Sequence, residues 1–349
     1  MPLLSPELFG KLKSSRRVSI MKKITVLTTL LALILLLTQA IPAHAEMEYR
    51  FSDKDTITKD FSWGQDDITE AIDFELYAGY PDNTLGLNNN MTRAEFAAVL
   101  SRIVDASGTP GQNWYDGAVD GLVKAGVIPD KGGNWDAPIT RLEAARWLGR
   151  LAKAYQVAVK DAGATFTDTS DPDAIYAGKT GLMKGISPGV LGANQNLLRG
   201  EAAVLLLRVA KSVDSNLPSD EELKQAMTEA IDDINANIDH MRNTWKLDFG
   251  FYNSLPYKRV TQNYMEAGQK EMYAERNSGR TLSLLGIKET KIAEKHNAIT
   301  VIVTRLYNKE KGYDVSPAVS RWKKVDGRWM MTQGGVPENR DLKYLGIKY

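Results

Sequence analysis

Cysteine is absent from all 349 residues. That one absence removes disulfides, thiol nucleophiles and cysteine-ligated zinc together, and it suits an exported chain that is not stapled by disulfides. Histidine is nearly absent too, with three in the sequence, of which His44 falls in the leader described below and only His240 and His296 lie beyond it. Neither belongs to a metal-ligand motif, so no metal centre or resident cofactor is expected. Charge of one sign is also lacking: the formal net charge is +1, which gives no reason to expect nucleic acid as a partner. Neutrality hides a split, because residues 46–218 carry 24 acidic and 17 basic residues while basic residues outnumber acidic ones in 247–349.

Long hydrophobic runs are missing except for one. Lys22 and Lys23 precede the apolar run Ile24 to Leu37, and Ala43, His44, Ala45 end it as a small-x-small cleavage site. Residues 1–45 therefore read as a secretory leader, with the mature chain beginning near Glu46. The run is short for a membrane span, so no transmembrane segment is expected in the mature chain. Met21 is itself a conventional signal start, and residues 1–20 are either an upstream extension or a long n-region.

What the chain does contain is a repeat. Thr92, Arg93, Ala94, Glu95 returns as Thr140, Arg141, Leu142, Glu143 and as Leu198, Arg199, Gly200, Glu201. A Thr three residues ahead of a Glu is a capping box that starts a helix, and the apolar residues that follow keep helical spacing: Phe96, Val99, Leu100, Ile103, then Ala144, Trp147, Leu148, Leu151, then Ala202, Leu205, Leu206, Val209. The third copy lacks the capping Thr and has Gly200 in its first turn. Ahead of each motif a helix is expected to end at Gly79, Gly126 or Gly185, giving three helix-loop-helix units that must stack to bury a shared core. The units run over 46–106, 112–158 and 165–212, with linkers at 106–113, 160–164 and 212–219.

Capping does not explain the Arg at the first helical position, where a cation opposes the helix dipole at a cost of about 0.3–1 kcal/mol. Two readings stand: an anion site in which guanidinium and free N-terminal amides meet one carboxylate or phosphate, or a structural ion pair to a neighbouring unit. The second repeated Arg (Arg102, Arg150, Arg208) sits in the last turn, where a cation suits the dipole and a structural role suffices.

The run Gly79, Tyr80, Pro81, Asp82 followed by Asn88, Met91, Thr92, Arg93, Ala94, Glu95, with Trp114 ahead of Ala118, Val119, Ala125 and Gly126, resembles the surface-layer homology (SLH) repeat. The resemblance covers about 160 residues behind a signal peptide. It implies an α-helical pseudo-threefold domain of three repeats that binds pyruvylated secondary polysaccharide of Gram-positive, peptidoglycan-associated walls. It also implies that Arg93, Arg141 and Arg199, with Tyr80, Asp82 and Trp114, contribute to the anionic ligand's pockets. The Gly-Tyr-Pro-Asp turn is intact only in the first copy, and Trp63 lies four residues too early to match Trp114. Tyr80, Trp114 and Trp135 are read either as sugar-stacking surfaces or as core.

After Pro218 the pattern changes to an α+β domain over 219–349. Ser219 caps an acidic first turn, and Leu223, Met227, Ile231, Ile234, Ile238, Met241 and Trp245 form the stripe of one long amphipathic helix, expected to dock on its own sheet. A weaker helix is expected over Val260 to Glu275. Strands are expected at Leu282 to Ala293, Ala298 to Asn308, Val315 to Lys324 and Arg328 to Gln333, with Asp326 and Gly327 as a hairpin turn that puts Trp322 and Trp329 on the buried side. Helices followed by a curved antiparallel sheet ending in this hairpin resemble the nuclear-transport-factor-like α+β cone, a fold that hosts both enzymes and binding cups.

No catalytic residues are singled out. Ser320 with Lys323 matches S-x-x-K and Lys179, Thr180, Gly181 matches K-T-G, but they fall in different domains and the Ser lies in a strand. Asp168, Asp171 and Asp173 lack the glycine and terminal Glu of a calcium loop and read as helix caps. The expectation is an exported wall-anchored binding protein whose C-terminal ligand is unknown. A wall-tethered enzyme with its site in the cone, or a self-assembling envelope protein, are the alternatives.

Overall fold

The structure, a computed structural model, describes residues 51–77, 79–160, 163–244, 283–315, 317–335 and 339–345. The leader at 1–45 and the expected helix at Val260 to Glu275 lie outside them.

After a short helix α1 (Asp55–Asp60), the first half is built from three helix pairs: α2 (Gln65–Asp73) with α3 (Arg93–Ile103), α4 (Asp116–Lys124) with α5 (Arg141–Ala154), and α6 (Pro172–Lys179) with α7 (Arg199–Ala210). The longer helix of each pair packs on the shorter helix of the next. α3 lies on α4, α5 on α6, and α7 returns to α2, so the cycle closes. Met91, Ile139 and Leu197, all buried, precede the three Arg-led helices and pass one hydrogen bond around: Ile139 N donates to Met91 O, Leu197 N to Ile139 O and Met91 N to Leu197 O, each at 2.9 Å.

The helix starts follow the sequence in a graded way. Thr92 and Glu95 complete a capping box on α3. On α5 Thr140 accepts from the Glu143 amide at 3.2 Å, while on α7 only the return half survives, Leu198 N donating to Glu201 Oε2 at 3.0 Å. Gly200 answers a close approach, because a Cβ there would stand 2.5 Å from the Phe61 ring. The helix ends differ from expectation. The left-handed residues that terminate the short helices are Glu75 (φ 49°), Gly126 (φ 72°) and Gly181 (φ 76°), not Gly79, Gly126 and Gly185. Gly79 is left-handed in the following turn, and Gly185 is not left-handed. Matching on glycine fails because the first pair places a residue with a Cβ where the others have none.

The second half is a four-stranded antiparallel meander, β1 (Leu285–Lys295), β2 (Ile299–Asn308), β3 (Ala318–Val325) and β4 (Arg328–Gly335). Asp326 (φ 49°) and Gly327 (φ 80°) make the turn between β3 and β4, both in the region a two-residue hairpin loop requires. Helix α8 (Asp220–Thr244) docks on one face, where Leu223, Met227 and Ile231 pack with Ile302, Leu306, Trp322 and Trp329. Both hairpin tryptophans thus lie beneath the helix, as the register expects. The Asn235 amide fastens the helix to the edge strand, accepting from Leu285 N at 2.7 Å and donating to Leu285 O at 2.8 Å.

The opposite face meets the helix pairs. Ile299, Val301, Val303 and Val319 share a core cluster with α2 to α7. Arg321, fully buried on this side, donates to Asp341 at 2.6 Å and to Gln333 at 2.9 Å and stands 3.9 Å from Asp73 at the end of α2. The linker at 212–219 is pinned to the β1–β2 turn: Asn297 N donates to Val213 O, Asn216 N to Asn297 Oδ1, and His296 Nδ1 lies 2.8 Å from Asp214.

Two outcomes follow from these buried and paired charges. Arg321→Ala removes a buried cation from beside Asp73 and Asp341, and chemical unfolding is expected to show a loss of about 3–5 kcal/mol. At the α5–α6 contact, Asp171 and Asp173 are partly buried, which alone would raise them. Asp171 is nevertheless held below the ordinary carboxylate range by the Ala174 and Asp173 amides and by Arg146, and Asp173 by Lys153 and Arg150. Stability from depressed carboxyls is present above their unfolded value of about 4 and is lost as pH falls through the lower folded values. The thermal midpoint of the native chain is therefore expected to drop more steeply from pH 5 to pH 2 than that of the Asp171→Asn, Asp173→Asn variant, and equal slopes would refute the assignment.

Candidate functional site

The three repeated arginines at the helix starts occupy corresponding places in the cycle. Each guanidinium reaches the Glu of the next motif: Arg93 Nε donates to Glu143 Oε1 at 2.9 Å, Arg141 Nη1 to Glu201 Oε1 at 2.6 Å, and Arg199 Nη1 to Glu95 Oε1 at 2.6 Å. The helix N-terminal amides are occupied as well. Arg93, Arg141 and Arg199 N donate to Ala137, Gln195 and Asn89 O, and the next amide of each helix donates to Trp135, Ala193 and Leu87 O. The amides expected to be free for an anion are thus taken by backbone carbonyls of the neighbouring pair. The Glu partners were missed as partners because a Glu at this helix position is fully accounted for as a cap.

Around these ion pairs the three places differ. Arg141 is the most enclosed, 5% exposed at the side chain, with its Nε on Leu191 O at 2.7 Å and Nη2 on Lys184 O at 2.9 Å. Arg199 is 7% exposed and lies between two rings, 4.7 Å from the centre of Tyr77 and 4.2 Å from that of Tyr80. Its buried Nε makes no hydrogen bond among the described residues. Burial pushes the Tyr77 phenol well above its ordinary value, and the hydroxyl donates to Leu85 O at 3.1 Å. Arg93 is the most open at 18% and lies 4.6 Å over the Trp135 ring, with Nη1 on Asn134 O.

From Trp135 a run of rings leads outward. Tyr115 lies 6.0 Å from Trp135, and Trp114 meets Tyr115 edge-on at 5.6 Å. Trp114 is 68% exposed, so it is not core, whereas Trp135 is buried at 5% with its indole N–H on Lys131 O. The structure thus brings Arg93 and Trp114 to one surface and Arg199 and Tyr80 to another. Asp82 does not join either through a described contact: it accepts from the Thr84 amide at 3.0 Å and the Thr84 hydroxyl at 2.7 Å, closing its own turn. Trp63, read as misplaced, has the same standing as Trp114. Each lies twelve residues ahead of the left-handed residue that ends its helix, and Trp63 is 61% exposed. Counting from the helix end, not from the glycine, would have found it.

The acidic residues weighed as calcium ligands are engaged in the fold. Asp171 caps α6, Asp168 accepts from Leu191 and Gly192 N, and Asp173 pairs with Arg150 and Lys153. No group of acidic or His side chains arranged to hold a metal occurs among the described residues, and no described helix is long and apolar enough to cross a membrane.

Residues 50–97 match the S-layer homology domain family. The chain is similar to the S-layer protein of Bacillus licheniformis, 26% identical over 156 residues that make up 40% of this chain and 18% of that protein. It is also similar to the amylopullulanase of Thermoanaerobacterium thermosulfurigenes, 26% identical over 167 residues, 42% of this chain and 9% of that enzyme. The chain thus spans less than a fifth of either relative. The S-layer homology domain at 50–97, a domain of proteins that bind cell-wall components, points to the cell surface as the place where this protein works.

Proposed function

We propose that residues 46–212 form three S-layer homology repeats about a pseudo-threefold axis and anchor the exported protein non-covalently to pyruvylated secondary wall polysaccharide of a Gram-positive envelope. The C-terminal α+β domain is displayed as a binding domain and not as a catalyst. The observation that carries this reading is the exposed Trp114 beside the most open of the three guanidiniums, Arg93, reached through Tyr115 and Trp135. An exposed indole offers a face for a sugar ring, and an arginine with donors left beyond its Glu partner suits a ketal carboxylate. The match of residues 50–97 supports the same reading from the other side.

The Arg93 surface is the favoured groove, the Arg199 surface with Tyr80 the second, and the enclosed Arg141 the least accessible. Cosedimentation with purified walls tests this, before and after mild acid removal of pyruvate ketals. Trp114→Ala, at an exposed position, is expected to fold normally and to weaken wall binding roughly two- to tenfold, as one aromatic contact of ~0.5–1.5 kcal/mol implies. Arg93→Ala is expected to weaken it further and to remove the dependence on the ketal. Binding that ignores ketal removal and both substitutions would leave the arginines as structural ion pairs alone.

A further inference from the structure

The last-turn arginines, which the sequence reads as structural, do not share one fate. Arg150 Nε lies 2.8 Å from Asp173, and Arg208 Nη2 lies 3.9 Å from Asp67, each pairing across to the short helix on which its own helix packs. Both aspartates stand eight residues ahead of the left-handed residue ending their helix. The same place on α4, eight residues ahead of Gly126, is Ala118. Arg102 accordingly forms no ion pair among the described residues, and its side chain instead lines a cavity of about 330 Å³ between the helix pairs and the sheet.

The opposite wall carries the other local departure. Glu75 holds the left-handed position that Gly126 and Gly181 fill elsewhere, and its carbonyl accepts from Lys323 Nζ of β3 at 2.8 Å. Left-handed backbone in a non-glycine residue costs energy and persists only where its surroundings require it. Burial lowers Lys323 to about 7, the Glu75 carboxylate opposing and the Arg102 charge adding to the shift. The Glu75 carbonyl therefore answers Lys323, while Arg102 lines the same space with no ion pair among the described residues. Ser107, Asn216 and Asp105 also line the cavity, as does Asn297, whose amide is already engaged by Asn216 N and Ser215 Oγ.

We propose that this cavity is a binding site for a small sugar acid, its carboxylate held by Arg102 and its hydroxyls by the surrounding amides, hydroxyls and Asp105. A lone guanidinium is suited to one carboxylate, donor and acceptor groups together suit a polyhydroxylated body, and the volume suits one six-carbon ring. The site is separate from the Arg93 surface and does not depend on the anchoring reading.

The test is isothermal titration of the full chain with D-glucuronate, with D-glucose as the uncharged control. Glucuronate is expected to bind with Kd of about 1 mM or tighter and at least tenfold more strongly than glucose, the difference that one charged hydrogen bond provides. Arg102→Ala, an exposed position whose thermal midpoint checks folding, is expected to abolish the preference. Ser107→Trp asks the same question independently by filling the cavity, and is expected to abolish binding. No glucuronate binding, equal binding of glucose, or wild-type affinity retained in either variant would each overturn the proposal. Because Arg102 assigns the signal to this cavity, a negative result leaves the wall-anchoring reading untouched.

Discussion

The helical half depends on one carboxylate used twice. Glu95 turns Oε2 back to the Thr92 amide and offers Oε1 to Arg199, so the group that starts its own helix also fastens the last pair to the first. Glu201 does the same between Leu198 and Arg141. An arginine at a helix N-terminus opposes the dipole, and here the neighbour's carboxylate supplies the compensation within hydrogen-bond distance. Because every pair both gives and receives such a contact, no pair is complete by itself. Backbone bonding makes the same demand, since the first free amides of each Arg-led helix find their acceptors only on the adjoining pair.

A cycle built on one rule makes its exceptions informative. Gly200, Glu75 and Ala118 each depart from the residue type at the matching places, and each departure has a local cause or consequence. Gly200 admits the Phe61 ring, a tertiary requirement that overrides helix propensity. Glu75 turns its carbonyl to Lys323 on the sheet, and Ala118 withdraws the partner that Arg102 would otherwise have. Two of the three departures therefore take effect at the junction of the halves, through Glu75 and Arg102, where the sheet sets the terms.

Much of this was legible in the sequence. The Arg-led helices, the long helix, the four strands and the Asp326–Gly327 turn all follow from caps, periodicity and turn chemistry, which are local signals. What was not legible is relational. Nothing in Thr92 to Glu95 says that Glu95 also meets an arginine more than a hundred residues away, and nothing in a lone arginine distinguishes Arg150, which has its aspartate, from Arg102, which does not. The site residues split along the same line. Trp114 and Arg93 converge through Tyr115 and Trp135, whose role as a bridge depends on how α3 lies on α4, whereas the described contacts of Asp82 are to Thr84 in its own turn.

The junction also bears on how an anchor would present what it carries. Residues 212–219 have the composition of a loose tether, yet Val213 is buried and its carbonyl accepts from Asn297, so the segment is part of the interface and not a hinge. The sheet is enclosed between α8 and the helix pairs, with Arg321 buried on the inner side against Asp341 and near Asp73. An ion network removed from water is costly to break because separation strands its members, so parting the halves exposes apolar surface and uncompensated charge at once. The C-terminal half is thus held in register with the helices, and any ligand in the cavity lined by Arg102 and Lys323 would contact both halves and add to what holds them together.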